Sequence, residues 1–216
     1  MKKIILFDLD GTLLDMNFDE FLSNYFGLLL PFLSKRIKGD IKRYVFESTD
    51  FMINKIDGRT NMEKFLSKFS ELSDSEKSMI YNSFIEFYTH EFPKLSFLGR
   101  PKSQARETII KLRESGVGIV LATNAIFPLL AIEERLRWAD LEAALFDLIT
   151  HMENMHSAKP HKEYYLEIME KLKVKPEEVI MIGDDMERDI LPARALGIDS
   201  YQIGKDIEIK NIYKLI

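Results

Sequence analysis

Four polar clusters stand out in the chain, each at the end of an expected strand or in the loop after it. They are Asp8-Leu9-Asp10-Gly11-Thr12, Thr123-Asn124, Lys159-Pro160 and Gly183-Asp184-Asp185, the last with Asp189 shortly beyond. Carboxylates brought together from such segments repel one another. They persist in one place only with a bound cation or with protons shared among them. The donors on offer are hard oxygens. The chain has no cysteine, and His151, Glu153 and His156 do not match the His-Glu-x-x-His zinc pattern and fall in an expected loop. That donor chemistry favours Mg²⁺.

For the clusters to meet, the elements before them must run the same way. Lys2 to Asp8 is a short apolar run ending in acid, and similar runs recur at Gly118–Thr123, Leu145–Thr150, Val179–Gly183 and, more weakly, Ser200–Ile203. Helical patterns lie between them. Ala105, Thr108, Ile109 and Leu112 keep a three–four spacing closed by Gly116; Tyr165, Ile168, Met169 and Leu172 repeat it before Pro176; Arg188 to Leu196 forms a third helix stopped by Gly197. Short apolar strands alternating with helices predict an α/β fold, a parallel sheet covered on both faces in three layers. In such a sheet ligands bind outside the carboxyl ends of the strands, which is where all four clusters fall.

Residues 16–94 break this rhythm. Phe18, Phe21, Leu22, Tyr25 and Phe26 mark one amphipathic helix, and Ile80, Phe84, Phe87 and Tyr88 another, with further helical stretches near 33–55 and 60–70. This stretch holds 15 of the 24 aromatic residues, an excess that predicts a small helical core of its own. Because the α/β pattern resumes near Leu98–Arg106, residues 1–15 and 95–216 are read as one core. Residues 16–94 are read as an all-α cap domain inserted after the first strand. The cap aromatics are read as its core and not as a substrate platform, and the basic run Lys35–Arg43 as a solvated face.

Composition narrows the function classes. In 216 residues, 30 Lys and Arg stand against 35 Asp and Glu, a net charge of −5 that leaves no global basic footprint for nucleic acid. The absence of cysteine excludes disulfides, thiolate metal sites and cysteine nucleophiles. No apolar run approaches the roughly 20 residues of a membrane helix, and the apolar start is cut by Asp8 too soon for a signal peptide. The expected setting is cytoplasmic, with no nucleic-acid or membrane partner.

Asp8-Leu-Asp-Gly-Thr-Leu-Leu resembles the opening motif of the haloacid dehalogenase-like (HAD) superfamily of phosphotransferases, and Thr123, Lys159 and Gly183-Asp184-Asp185 stand in the order and rough spacing of its other three motifs. The resemblance covers residues 1–15 and about 95–205, and implies a Rossmann-like core under a helical cap. It implies that Asp8 is a nucleophile forming an aspartyl-phosphate, and that Asp10 protonates the leaving alkoxide and then deprotonates the attacking water. It further implies Mg²⁺ held by the Asp8 carboxylate, the Asp10 backbone carbonyl and Asp184. Thr123 would bind the transferring phosphoryl oxygens beside Asn124, and Lys159 would offset charge on Asp8 and phosphate. Asp185 and Asp189 are expected to support these groups, for instance by orienting Lys159.

An Asp at position 10 points to phosphate-ester hydrolysis or a related phosphomutase, since family members that cleave carbon–halogen bonds or phosphonates generally lack it. The expected activity is a Mg²⁺-dependent phosphatase acting on a small phosphorylated metabolite, as a monomer or small homo-oligomer. A sugar phosphomutase of the same fold is the nearest alternative. A receiver-like phosphorylation-dependent binding module is a more distant one, because receivers lack a cap and carry the phosphorylated Asp after a later strand.

Overall fold

In the computed structural model, which describes residues 4–216, five parallel strands form one sheet in the order β5-β4-β1-β6-β7. They are β1 (Ile4–Phe7), β4 (Gly118–Leu121), β5 (Leu148–Ile149), β6 (Val179–Gly183) and β7 (Asp199–Gln202). Lys2 and Lys3, expected at the start of the first strand, lie outside the described residues. β1 is central and pairs on both sides, Phe7 opposite Leu121 of β4 and Ile182 of β6. A strand enclosed by two neighbours and two helical layers must be apolar throughout, which is why β1, β4 and β6 read as unbroken hydrophobic runs.

Alternate side chains serve the two faces. Ile5, Phe7, Ile119, Leu121, Ile180 and Ile182 join one core with α5 (Ala105–Glu114) and α6 (Leu129–Trp138). Leu6, Val120 and Met181 face the other way, onto Tyr164, Tyr165 and Ile168 of α7 (Lys162–Leu172) and Ala193 of α8 (Leu191–Ala195). This is a three-layer α/β fold of the Rossmann-like kind.

Between β1 and the remaining strands of the sheet lie four helices: α1 (Phe18–Leu33), α2 (Ile41–Asn54), α3 (Asn61–Ser73) and α4 (Lys77–His90). α1 starts where the Asn17 side chain accepts the Glu20 N–H, and buries Phe21, Tyr25, Leu29 and Leu33, one residue per turn on a single face. α3 opens with a capping box in which Thr60 and Glu63 satisfy each other's backbone N–H groups. The two ends of the helical segment are tied together by an antiparallel ribbon of β2 (Leu14–Met16) and β3 (Gly99–Pro101), Leu14 opposite Pro101 and Met16 opposite Gly99.

One expectation is corrected. The third helix does not run regularly from Arg188 to Leu196: Met186–Ile190 is a π turn, and α8 is only the five residues that follow. The Ile190 and Leu191 N–H groups reach back five residues, to the Asp185 and Met186 carbonyls. The wider turn sets Asp189 inward against the sheet instead of on an outer face, in keeping with the clustering of π turns at functional sites. No helix among the described residues is long and apolar enough to cross a membrane.

Candidate active site

The carboxyl ends of β1, β4 and β6 converge on a cavity of about 240 Å³. Asp8 follows β1 directly, and its N–H still donates to the Ile182 carbonyl of β6, so its backbone is held as an extension of the central strand. The chain then turns tightly: the Leu9 carbonyl accepts the N–H groups of Thr12, Leu13 and Leu14. Gly11 sits inside this turn at φ +85°, where a Cβ would lie 2.1 Å from Oδ2 of Asp184. Only glycine lets the turn pass that close to the acid of another strand.

Lys159 is buried with its ammonium between two carboxylates, 2.7 Å from Asp8 Oδ1 and 2.5 Å from Asp189 Oδ1. Burial works to lower its pKa, but Asp189 and Asp8 override burial and hold it well above the ordinary lysine value. Asp8 is pushed well above the usual carboxylate range, chiefly by burial and then by Asp189 and Asp10, against the pull of Lys159. Asp184 opens more to the cavity, yet partial burial and the neighbouring Asp189 raise it to about 6.

Asp189 is buried, its second oxygen accepting the Asp185 N–H at 3.2 Å. Gly183 makes room for it, since a Cβ there would fall 2.2 Å from Asp189 Oδ2. Asp185 is placed differently. Its carboxylate accepts the Glu187 and Arg188 N–H groups and so caps the π turn, reaching the cluster only through its own N–H.

Thr123 is buried at the end of β4, its carbonyl fixed by the hydroxyls of Thr150 at 2.7 Å and Tyr164 at 2.8 Å, and the residue lines the cavity. Asn124, also in the wall, accepts the Lys159 N–H at 3.2 Å and joins the two loops. All eight residues singled out in the sequence therefore lie at one site. The His151–His156 loop does not join it: His151 pairs with Glu153 and His156 with Glu167.

Two of the expected metal ligands, Asp8 and Asp184, come together with a third carboxylate. Carboxylate oxygens of Asp8, Asp184 and Asp189 lie within 4.8 Å of one another, so Asp189 stands in the cluster in addition to Asp8 and Asp184. Around the cavity five carboxylates (Asp8, Asp10, Asp184, Asp185, Asp189) face three cations, Arg135, Lys159 and Arg188. Converging hard oxygens with a deficit of positive charge suit a divalent cation such as Mg²⁺.

Sequence reasoning missed Arg135. It is buried on α6, a helix for which no expectation was made, and it donates through Nη1 to Asp10 Oδ2. Its guanidinium lies over the Phe127 ring, 4.6 Å from the centroid, while Nε and Nη2 have no protein partner. The other Asp10 oxygen, Oδ1, is likewise buried without a partner. Leu129, Ile132 and Leu136 at helical spacing after Pro128 carried the signal for α6. Nothing local marks its arginine as buried.

The helical segment is fastened to loops beside this site. At the start of α3 the Asn61 and Met62 N–H groups donate to the Met155 and Met152 carbonyls, and the Asn61 side chain spans the Ala125 and Ser157 carbonyls at 2.9 Å each. Lys64 is fully buried, its ammonium donating to the carbonyls of Met52, Lys55 and His156, each at 2.8 Å. These contacts grip the loops that carry Asn124 and Lys159.

Comparison with known proteins agrees with this fold. A family model described as haloacid dehalogenase-like hydrolase matches residues 2–197. The chain is 28% identical over 199 residues to a phosphoglycolate phosphatase of Vibrio vulnificus, covering 92% of this chain and 82% of the relative. It is 24% identical over 201 residues to the pyrophosphatase PpaX of Bacillus mycoides, covering 93% and 82%. Among solved structures it resembles a HAD family enzyme of Bacteroides thetaiotaomicron in complex with magnesium and inorganic phosphate. The TM-score is 0.59 at 16% identity over 99% of this chain and all of that one, a likeness of fold.

Proposed function

Because the chain belongs to the haloacid dehalogenase-like hydrolases, we propose that it is a Mg²⁺-dependent phosphatase that hydrolyses a small phosphate monoester through an aspartyl-phosphate at Asp8. The observation that carries this reading is the pairing of Asp8 and Asp10 in one crevice with divided tasks. Asp8 is oriented by Lys159, and Asp10 is anchored by Arg135 through one oxygen with the other left unpartnered.

In the first step a carboxylate oxygen of Asp8 attacks phosphorus and the bond from phosphorus to the ester oxygen breaks. Asp10, through its unpartnered oxygen, gives a proton to the departing alkoxide. In the second step Asp10 takes a proton from water as the water oxygen attacks the same phosphorus, the bond to Asp8 breaks, and inorganic phosphate leaves. Arg135 keeps Asp10 in one orientation for both transfers. Thr123 and Asn124 bind phosphoryl oxygens, and Lys159 offsets the charge that builds on phosphate and Asp8. Asp8, Asp184 and the Asp10 carbonyl would hold Mg²⁺, with Asp189 beside them orienting Lys159. When bound, the ion would neutralise charge on the phosphate.

Residues 16–94 act as a cap over the core of 1–15 and 95–216. The bonds of Asn61 and Lys64 hold the cap against the loops that carry Asn124 and Lys159, and a cap held there would keep bulk water from the aspartyl-phosphate until the alcohol has left. The test is inorganic phosphate release from a panel of phosphate esters, with Mg²⁺ or with chelator, alongside Asp8→Asn. Release that needs Mg²⁺ and vanishes in the variant is expected. Release undiminished in Asp8→Asn would sink the assignment.

A further inference from the structure

A second cavity, of about 200 Å³, lies between α1, α2, α3 and α4 of the helical segment and the core residues Ile126–Pro128 and Met152, and it shares Phe18, Ile126 and Phe127 with the acidic cavity. No residue lining it is charged. Its walls are aromatic and aliphatic, Leu22, Val45, Leu66 and Phe84 among them. Tyr25 and Tyr88, which also line it, bond each other's hydroxyls at 2.7 Å, so those polar atoms are already satisfied.

The charges around the acidic cavity sharpen the contrast. Its three cations, Arg135, Lys159 and Arg188, all come from outside the helical segment, which contributes only Met16 and Phe18 to that wall. No cation of the segment lines the acidic cavity; Arg36 pairs with Glu86, Arg59 with Asp57, and Lys64 with three carbonyls. A leaving half that carried an anionic group into the second cavity would set that charge against an uncharged apolar wall, at a heavy desolvation cost.

We propose that the organic half of the substrate is apolar, a phenyl-sized ring or an aliphatic chain of about six to eight carbons seated in this second cavity. The inference rests on the phosphatase reading and names the class of its substrate. Protein interiors rarely leave such a space unfilled, and an apolar cavity of about 150 Å³ already takes up benzene. The path fits the chemistry. Phe127, in the wall common to both cavities, lies under the guanidinium that anchors Asp10. In this proposal a phosphate bound at Asp8 offers its ester oxygen to Asp10, and its carbon chain reaches the apolar cavity past Phe18, Ile126 and Phe127, which line both spaces.

The test is kcat/KM with Mg²⁺ for n-alkyl phosphates from ethyl to decyl, beside phosphoglycolate and inorganic pyrophosphate. The alcohols of the alkyl series are similar as leaving groups, so a trend with length reports binding of the chain. Each buried methylene gives roughly a fourfold gain. The expected result is a climb to about six to eight carbons and a plateau or fall beyond, with the two polyanions poorest. Leu66→Glu, which sets a carboxylate in the cavity wall, is expected to flatten the climb. Should that variant fail to fold, the slope in the unaltered protein decides alone. A flat series, or highest kcat/KM on either polyanion, with hydrolysis still lost in Asp8→Asn, would overturn the substrate class and leave the phosphatase reading standing. No Mg²⁺-dependent release from any compound by the folded protein would overturn both.

Discussion

Buried Arg135 and half-buried Asp10 form an ion pair that leaves one oxygen of Asp10 and two nitrogens of Arg135 without protein partners. The residues lie 125 positions apart, one in the turn after the central strand and the other on α6. A pair so arranged fixes the direction of a carboxylate without using both of its oxygens.

Replacing Arg135 with Met therefore leaves Asp10 in place but free to rotate. We expect kcat to fall about a hundredfold, the usual scale of a small misplacement at a reacting centre, with KM for the ester changing far less. Steady-state kinetics on one good ester checks this. An unchanged kcat would remove Arg135 from the mechanism.

Asp189→Asn takes from Lys159 one of its two carboxylate partners and from the acidic cluster one of its three members. Loss of a partner that orients such groups commonly costs 10- to 100-fold in activity or metal affinity, and a drop of about that size is expected in both. Calorimetric titration with Mg²⁺ and kinetics at saturating metal read the two separately.

Mg²⁺ and protons compete for the acidic cluster. With Asp184 raised to about 6 by burial and Asp189, the metal-free protein binds a proton there more tightly than the unfolded chain does. Its contribution to stability is therefore full below the unfolded pKa and lost as pH rises through about 6. The rise in melting temperature on adding Mg²⁺ is expected to be larger at about pH 7.5 than at about pH 5. Equal shifts at both values would contradict metal binding at these acids.

Gly11→Ala forces a Cβ into Asp184 at a left-handed backbone position. Strain of about 1–2 kcal/mol is expected from the backbone alone. Displacement of Asp184 is expected to shrink the Mg²⁺-induced melting shift by more than the strain lowers the melting temperature without metal. Thermal unfolding with and without Mg²⁺ separates the two effects.

The sheet and the acids at its carboxyl edge were legible because burial on both faces forces a continuous apolar run. Val179–Gly183 was read with the bounds it has in β6, and Asp8 was rightly expected at a strand end. Where tertiary demands override local pattern, the reading failed. The π turn at Met186–Ile190 places Asp189 against Lys159, 30 residues away, and no local spacing encodes that pull. β2 and β3 are three residues each and contain Asp15, Gly99 and Pro101, so neither resembles a strand by composition. Arg135 and Lys64 look like surface cations in the sequence and are buried, one against Asp10 and the other on three carbonyls.

The most direct measurement is to look for phosphate on Asp8 itself. Asp10→Asn removes the proton donor and the group that activates water. An ester with an acidic alcohol, such as p-nitrophenyl phosphate, still leaves without that proton, so the covalent intermediate should form and then persist. Acid quench and peptide mass spectrometry are expected to show one phosphoryl group on Asp8 in Asp10→Asn and none in Asp8→Asn. Phosphate release by the unaltered protein, together with an Asp8 that never carries a phosphoryl group in Asp10→Asn, would contradict the nucleophilic role of Asp8.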